Sequence, residues 1–280
     1  MKEVVRVGVV KCGNLGTSTM VELLLDERAD REDIDVRVVT SGTKLAPDAA
    51  EDAAKAILQF NPDLVIIISP NAALPGPSRA REVIAGANIP TIVISDGPGK
   101  KAVKDIEAKG MGYIIIPADA MLGARREFLD PIEMAIFNAD IIKVLAVTGV
   151  FNIVYQEIDK VIESIKKGEK PELPKIIIDK ELATNAAGFE NPYARVKAMA
   201  AYEMARFVAD LTVEGCFVVK ERERYIPIVA AAHELMRYAA FLADEAREIE
   251  KYGDHVLRMP HHKTGQILIK RKLLEKPAKQ

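Results

Sequence analysis

Val4-Val5-Arg6-Val7-Gly8-Val9-Val10-Lys11-Cys12-Gly13-Asn14-Leu15-Gly16-Thr17-Ser18 is the stretch whose reading decides the fold. An apolar, β-branched run over Val4–Val10 ends in a glycine turn, and a segment of helical character follows over Thr17–Arg28. Strands buried on both faces read as unbroken apolar runs rather than as alternation. The unit recurs: runs at Val36–Thr40, Leu64–Ser69, Thr91–Ser95 and Tyr113–Ile116 are separated by helical segments at Asp48–Gln59, Ser78–Gly86 and Lys101–Lys109. Such alternation predicts an α/β fold, a parallel sheet with flanking helices. Ligands of such sheets bind outside the carboxyl ends of the strands, so the loops leaving those ends are the first place to search.

After Pro117 the period changes. Ile158, Val161, Ile162 and Ile165 recur at helical spacing, as do Val196, Met199, Ala200, Met204, Phe207, Val208 and Leu211. A further helix is expected from about Pro227 to Lys251, with Gly253 as its cap, and two more over Pro131–Gly168 with a break at Thr148-Gly149. Lys175–Asp179 and Ile267–Ile269 read as small strands outside this bundle, and the charged tail after Lys270 as loose. The resulting division is an α/β cofactor-binding domain over 1–125, a helix bundle with a short strand insert over 126–252, and a small β segment with the tail over 253–280.

Composition narrows the function. The 280 residues carry 39 Lys+Arg against 41 Asp+Glu, a balance that argues against a nucleic-acid binder. Cys12 and Cys216 are the only cysteines, too few for a disulfide framework or a cysteine zinc site, and compatible with a reducing cytoplasm. The acid at Glu3 and the arginine at Arg6 interrupt any signal-peptide pattern, and the strongest apolar run, Leu64–Ile68, falls far short of the ~20 residues of a membrane span. A cytoplasmic protein without membrane partners is expected.

Three strand-end loops stand out. Lys11–Ser18 is a glycine turn entering a helix, a geometry suited to an anion through free N–H groups and the helix dipole. It serves equally as a plain connection with Thr17 or Ser18 as N-cap. It matches neither the nucleotide P-loop nor the dinucleotide G-x-G-x-x-G spacing. Ser69–Ser78 is stiffened by Pro70, Pro75 and Pro77 and reads as a preformed wall, or as a rigid lead into a helix capped by Ser78. Asp96-Gly97-Pro98-Gly99-Lys100 offers close backbone approach. The segment Asp119–Pro131, with Arg125, Arg126, Glu127 and Asp130, can hold a polar ligand or simply bridge the two halves by ion pairs. His233-Glu234 lacks the second histidine of a zinc helix and His261-His262 has no companion ligands, so no metal site is expected.

Longer strings carry a resemblance. Lys11–Ser18, Leu23–Arg31, Pro75–Arg81, Asp119–Pro131, Glu190–Ala201 and Glu214–Phe217 resemble the archaeal coenzyme F420-dependent methylenetetrahydromethanopterin dehydrogenases. The likeness extends through Arg224–Val229 and His233-Glu234 and so covers nearly the whole chain. It implies reversible hydride transfer between methylenetetrahydromethanopterin and the deazaflavin F420 in archaeal one-carbon metabolism, giving the methenyl pterin and reduced F420. It also implies an α/β domain with a helix bundle and a small β segment, assembled as a homohexamer. The alternatives are a non-catalytic deazaflavin- or pterin-binding protein of the same fold and a nicotinamide-dependent enzyme, the latter disfavoured by the absent dinucleotide fingerprint.

With that family in view, the strand-end loops become the expected F420 pocket: Cys12, Gly13, Asn14, Gly16, Thr17, Pro70, Asn71, Asp96 and Lys100. Arg125, Arg126, Glu127 and Asp130 are the expected pterin contacts, at the junction of sheet and bundle. No side chain is expected as an essential acid or base, because a hydride leaves the methylene carbon with no proton abstracted from it.

Overall fold

The computed structural model describes residues 2–124 and 126–279, with Arg126 described by its backbone alone. Strands β1 (Val5–Lys11), β2 (Ile34–Thr40), β3 (Leu64–Ser69), β4 (Thr91–Ser95), β5 (Gly112–Ile115) and β6 (Lys175–Ile177) form one sheet in the order β2-β1-β3-β4-β5-β6. Every neighbouring pair is parallel. The central strands β3, β4 and β5 are buried at every position, which is why their sequences run apolar without alternation. β6 departs in part from the sequence expectation. It is a small strand outside the bundle, as expected, but it joins the large sheet as its edge instead of standing apart as an insert, with Ile114 in register with Ile176. The bonds Tyr113 N–H to Pro174 O (2.6 Å) and Ile178 N–H to Ile115 O (2.9 Å) extend that ladder on both sides.

The two faces of the sheet have separate cores. Val10, Val65, Ile67, Val93 and Ile115 face α2 (Pro47–Leu58), α3 (Pro75–Ala85) and α4 (Val103–Ala108). Val9, Ile66, Ile68, Ile94 and Ile114 face α1 (Gly16–Leu25), α5 (Pro131–Thr148) and α6 (Val150–Lys167). Each such fully buried aliphatic contributes about 1.5–3 kcal/mol relative to exposure. The second core runs on through α5 into α8 (Pro192–Val213) and α9 (Arg222–Tyr252), while α7 (Lys180–Ala187) packs between α6 and α8. The break expected at Thr148-Gly149 is present: Gly149 has φ +94°, and α5 and α6 meet there at 68°.

Several boundaries shift for local reasons. α3 starts at Pro75 rather than at Ser78, because proline's fixed φ and missing N–H suit the first helical turn. α9 starts at Arg222, so Pro227 lies inside it; the first turn is held by Tyr225 N–H to Glu221 O at 2.9 Å, with the Tyr225 ring buried. Gly253 is right-handed at φ −83°, and Asp254 takes the left-handed position at φ +51°. The tail is not loose: β7 (Leu268–Ile269) pairs antiparallel with β8 (Ala278–Lys279). Among the described residues α9 has the length and mean hydropathy of a membrane-spanning helix, as does the bent α5–α6 pair taken together. In the fold α9 buries Val229, Met236, Ala239 and Ala243 against its neighbours as a core helix does.

Candidate functional site

Strand order 2-1-3 reverses the direction of chain progression between β1 and β3, and a crevice opens at the carboxyl ends of those two strands. It is a cleft of about 490 Å³. Gly13 and Asn14 leave β1, Thr43 and Leu45 follow β2, and Pro70 leaves β3. Met121, Leu122 and Gly123 follow β5, and Met134, Asn138 and Ile142 come from one face of α5 at i, i+4, i+8. Thr19 on α1 completes the rim.

The backbone builds the cleft. Gly13 has φ +80°, and a Cβ there would lie 2.9 Å from Leu45 Cδ2 and 3.1 Å from Pro70 Cδ. Both the dihedral and the cradle therefore require glycine. The segment after β5 is stitched to the one after β1 by an antiparallel bridge between Leu15 and Met121 and by Leu122 N–H donating to Asn14 O at 3.3 Å. Asn138 Oδ1 accepts from Gly123 N–H at 3.1 Å, which ties that segment to α5 and turns the Asn138 amide NH₂ away from this bond. The lining contains no ionisable side chain among the described residues; it is apolar and sulfur-containing, with amide and hydroxyl groups at its edges.

The expected cofactor contacts divide. Gly13, Asn14 and Pro70 meet in the cleft. Asn71 adjoins it, half-buried, with Oδ1 accepting from Ala73 N–H at 2.9 Å in a local turn. The Cys12 side chain is not in the cleft lining: it is fully buried in the core of the α2–α3 face, and burial pushes the thiol up to about 11. Gly16 and Thr17 are likewise not in the cleft lining. Their N–H groups donate to the Asp119 carboxylate at 2.7 and 3.1 Å, so the α1 N-terminus already holds an internal anion. Asp119 is fully buried, and that burial raises its pKa to about 6 against the pull of these hydrogen bonds. Neither Thr17 nor Ser18 is the N-cap; Leu15 is, with Ser18 Oγ accepting from Leu15 N–H at 2.8 Å.

Asp96 is 2% exposed and caps its own turn by accepting from Gly97 N–H, so its carboxyl does not reach the cleft. Burial drives its pKa well above the ordinary carboxylate range, with Asp119 and Asp210 adding to the rise. Lys100 is exposed on the turn after β4, away from the cleft lining.

Of the expected pterin contacts, Glu127 and Asp130 lie on the segment leading into α5 and are not part of the cleft lining. Asp130 is the α5 N-cap, accepting from Glu133 N–H at 2.7 Å. Glu127 is exposed and lies 3.5 Å from the Tyr225 hydroxyl of α9. Arg125 and the Arg126 side chain lie outside the described residues. Sequence reasoning missed Thr43, Leu45 and the α5 wall. Met134, Asn138 and Ile142 carry a spacing signal, but it is the same signal that a core-facing helix stripe gives.

The chain matches the family model for methylene-5,6,7,8-tetrahydromethanopterin dehydrogenase over residues 5–278. It is 61% identical over 274 residues to the F420-dependent methylenetetrahydromethanopterin dehydrogenase of Archaeoglobus fulgidus, covering 98% of this chain and 99% of that protein. It is 56% identical, with the same coverage, to the enzyme of that name from Methanothermobacter thermautotrophicus. A solved structure of F420-dependent methylenetetrahydromethanopterin dehydrogenase, in complex with methylenetetrahydromethanopterin and coenzyme F420, superposes with a TM-score of 0.93 at 54% identity, covering 98% of this chain and 99% of that one. On a match that spans both sheet and bundle, this chain belongs to the methylene-5,6,7,8-tetrahydromethanopterin dehydrogenase family.

Proposed function

We propose that this chain transfers a hydride between methylenetetrahydromethanopterin and coenzyme F420 in the cleft at the β1–β3 switch point. The observation that carries the assignment to this cleft is its lining: apolar walls, a glycine cradle and no ionisable group among the described residues. A hydride leaves the methylene carbon because the adjacent nitrogen lone pair delocalises the cation, so the site has no proton to abstract. When bound, the deazaflavin supplies the carbon that accepts the hydride.

The protein's own contribution is placement and dryness. Gly13, left-handed and packed against Leu45 and Pro70, lets those two side chains close together over the turn and wall one side of the cleft. Met121, Leu122, Met134 and Ile142 exclude water from the other side, while Asn138 offers its amide NH₂ to a polar ring edge. Holding two reactants at about 3–3.5 Å with aligned orbitals lowers the barrier by roughly 7–11 kcal/mol. In this reading F420 lies against Gly13, Asn14, Pro70 and Asn71, and the pterin lies toward α5 with Glu127 at the rim.

A cytoplasmic homohexamer is part of the same reading. Tyr193 (74% exposed), Val196 and Phe207 on α8, and Tyr238 and Phe241 on α9, are large exposed apolar side chains on the two long helices and support burial of these helices between subunits. Sedimentation at working concentration should give an oligomer; a monodisperse monomer would remove this part.

Mixing the protein with methylenetetrahydromethanopterin and oxidised F420 should bleach the deazaflavin absorbance in equimolar amount. Binding of both ligands without bleaching would turn the assignment into that of a binding protein. Gly13→Val should raise the KM for F420 sharply, and an unchanged KM would take the glycine turn out of the site.

A further inference from the structure

Ala72 lies two residues beyond the cleft wall Pro70, and both of its backbone polar groups are held by buried side chains from other elements. Its N–H donates to Ser95 Oγ at the end of β4 (3.0 Å), and the same hydroxyl donates to Ser69 O (2.9 Å). Its carbonyl accepts from Arg81 Nη1 of α3 at 2.6 Å. Arg81 is 1% exposed, and its Nη2 donates to Asp105 Oδ2 of α4 at 2.8 Å. Taking a guanidinium out of water costs several kcal/mol, which pairing repays only with good geometry and full hydrogen bonding. Here one face of the fork meets a carboxylate and the other holds a loop carbonyl.

Neither Arg81 nor Ser95 lines the cleft. What they share is the Ser69–Ala72 segment, anchored from β4 on one side and from α3 and α4 on the other. Pro70 is carried on that segment, and its ring stands against the Gly13 cradle. We infer that Arg81 and Ser95 are positioning residues: by clamping Ala72 they fix the Pro70 wall and so set the affinity for the ring bound against it. The inference rests on the proposed placement of F420 in this cleft.

The test uses Ser95→Ala, which removes both hydroxyl bonds, and Arg81→Lys, which keeps the charge but has no planar fork to reach Ala72 and Asp105 together. Calorimetric titration with oxidised F420, and separately with methylenetetrahydromethanopterin, is combined with melting curves and steady-state kinetics. Each variant should weaken F420 binding about tenfold or more, since a lost charge-assisted or doubly used hydrogen bond is of that order. Pterin affinity should stay within about twofold and kcat at saturation within about threefold. A lowered melting temperature with unchanged F420 affinity, or equal weakening of both ligands, would overturn the inference in favour of a purely structural clamp. If Arg81→Lys does not fold, Ser95→Ala decides alone. Gly13→Val runs in parallel: weakened F420 binding there, with none in Ser95→Ala, removes only the clamp, whereas no effect in Gly13→Val removes the cofactor site and the clamp together.

Discussion

Raising the pH through the titration of His261 should unpin the C-terminal segment from the body of the protein. Its Nδ1 lies 2.7 Å from Glu27 Oε2 and its Nε2 2.7 Å from Asp159 Oδ2, so both ring nitrogens must carry protons to satisfy two carboxylates. The His261 N–H also donates to Glu27 Oε1 at 2.6 Å, and Asp159 Oδ1 accepts from the buried Arg31 at 2.9 Å. Burial of the ring opposes its charge, but the hydrogen bonds to Asp159 and Glu27 outweigh it and raise the imidazolium from 6.5 to about 9, against a smaller opposing effect of Arg31. A raised folded-state value means that the unfolded chain releases its proton first. The stabilisation is therefore complete below about pH 6.5 and is lost as the pH rises through about 9. At 1.36 kcal/mol per pH unit the full displacement is worth about 3 kcal/mol, reduced toward about 2 because Glu27 is partly solvated. Urea unfolding at fixed protein concentration between about pH 6.5 and about pH 10 should show this decline in the native sequence. His261→Gln should start lower by a similar amount and lack the slope. Parallel pH dependence in the two proteins would refute the assignment of the charge to His261.

Three further outcomes follow from the geometry. Gly76→Ala would place a Cβ 2.2 Å from Leu45 O, so the backbone carrying a cleft residue must move; about 1–3 kcal/mol of stability and a raised KM for F420 are expected, and unchanged melting would show that the loop yields freely. Asp96→Asn is a near-isosteric replacement of a capping carboxyl whose pKa burial raises, so single-turnover hydride transfer should fall less than about tenfold; a loss approaching about 10⁴-fold with both ligands bound would make Asp96 an acid or base in the reaction. Glu127→Gln should raise the KM for the pterin more than that for F420, and equal loss with a lowered melting temperature would assign Glu127 to contacts such as that with Tyr225 instead.

The local chemistry of the chain was enough to place β1 to β5, the helices between them and the break at Gly149, because a strand buried on both faces and a glycine at φ +94° leave their marks within a few residues. It also indicated that Gly13, Asn14 and Pro70 would lie near one another, and they line one cleft, since the carboxyl ends of parallel strands share an edge. Tertiary structure decided the rest. That β6 closes the sheet, and that Asp119 occupies the α1 N-terminus 103 residues from Gly16, are pairings between segments with no local partner to announce them. The exclusion of Cys12 from the cleft depends on which face of the sheet it points to, and that of Asp96 on the cap it makes. The α5 wall of Met134, Asn138 and Ile142 was hidden for a different reason: a helix face turned to a cleft and one turned to a core obey the same period, and only the placement of α5 beside the loops that leave β1 and β5 tells them apart.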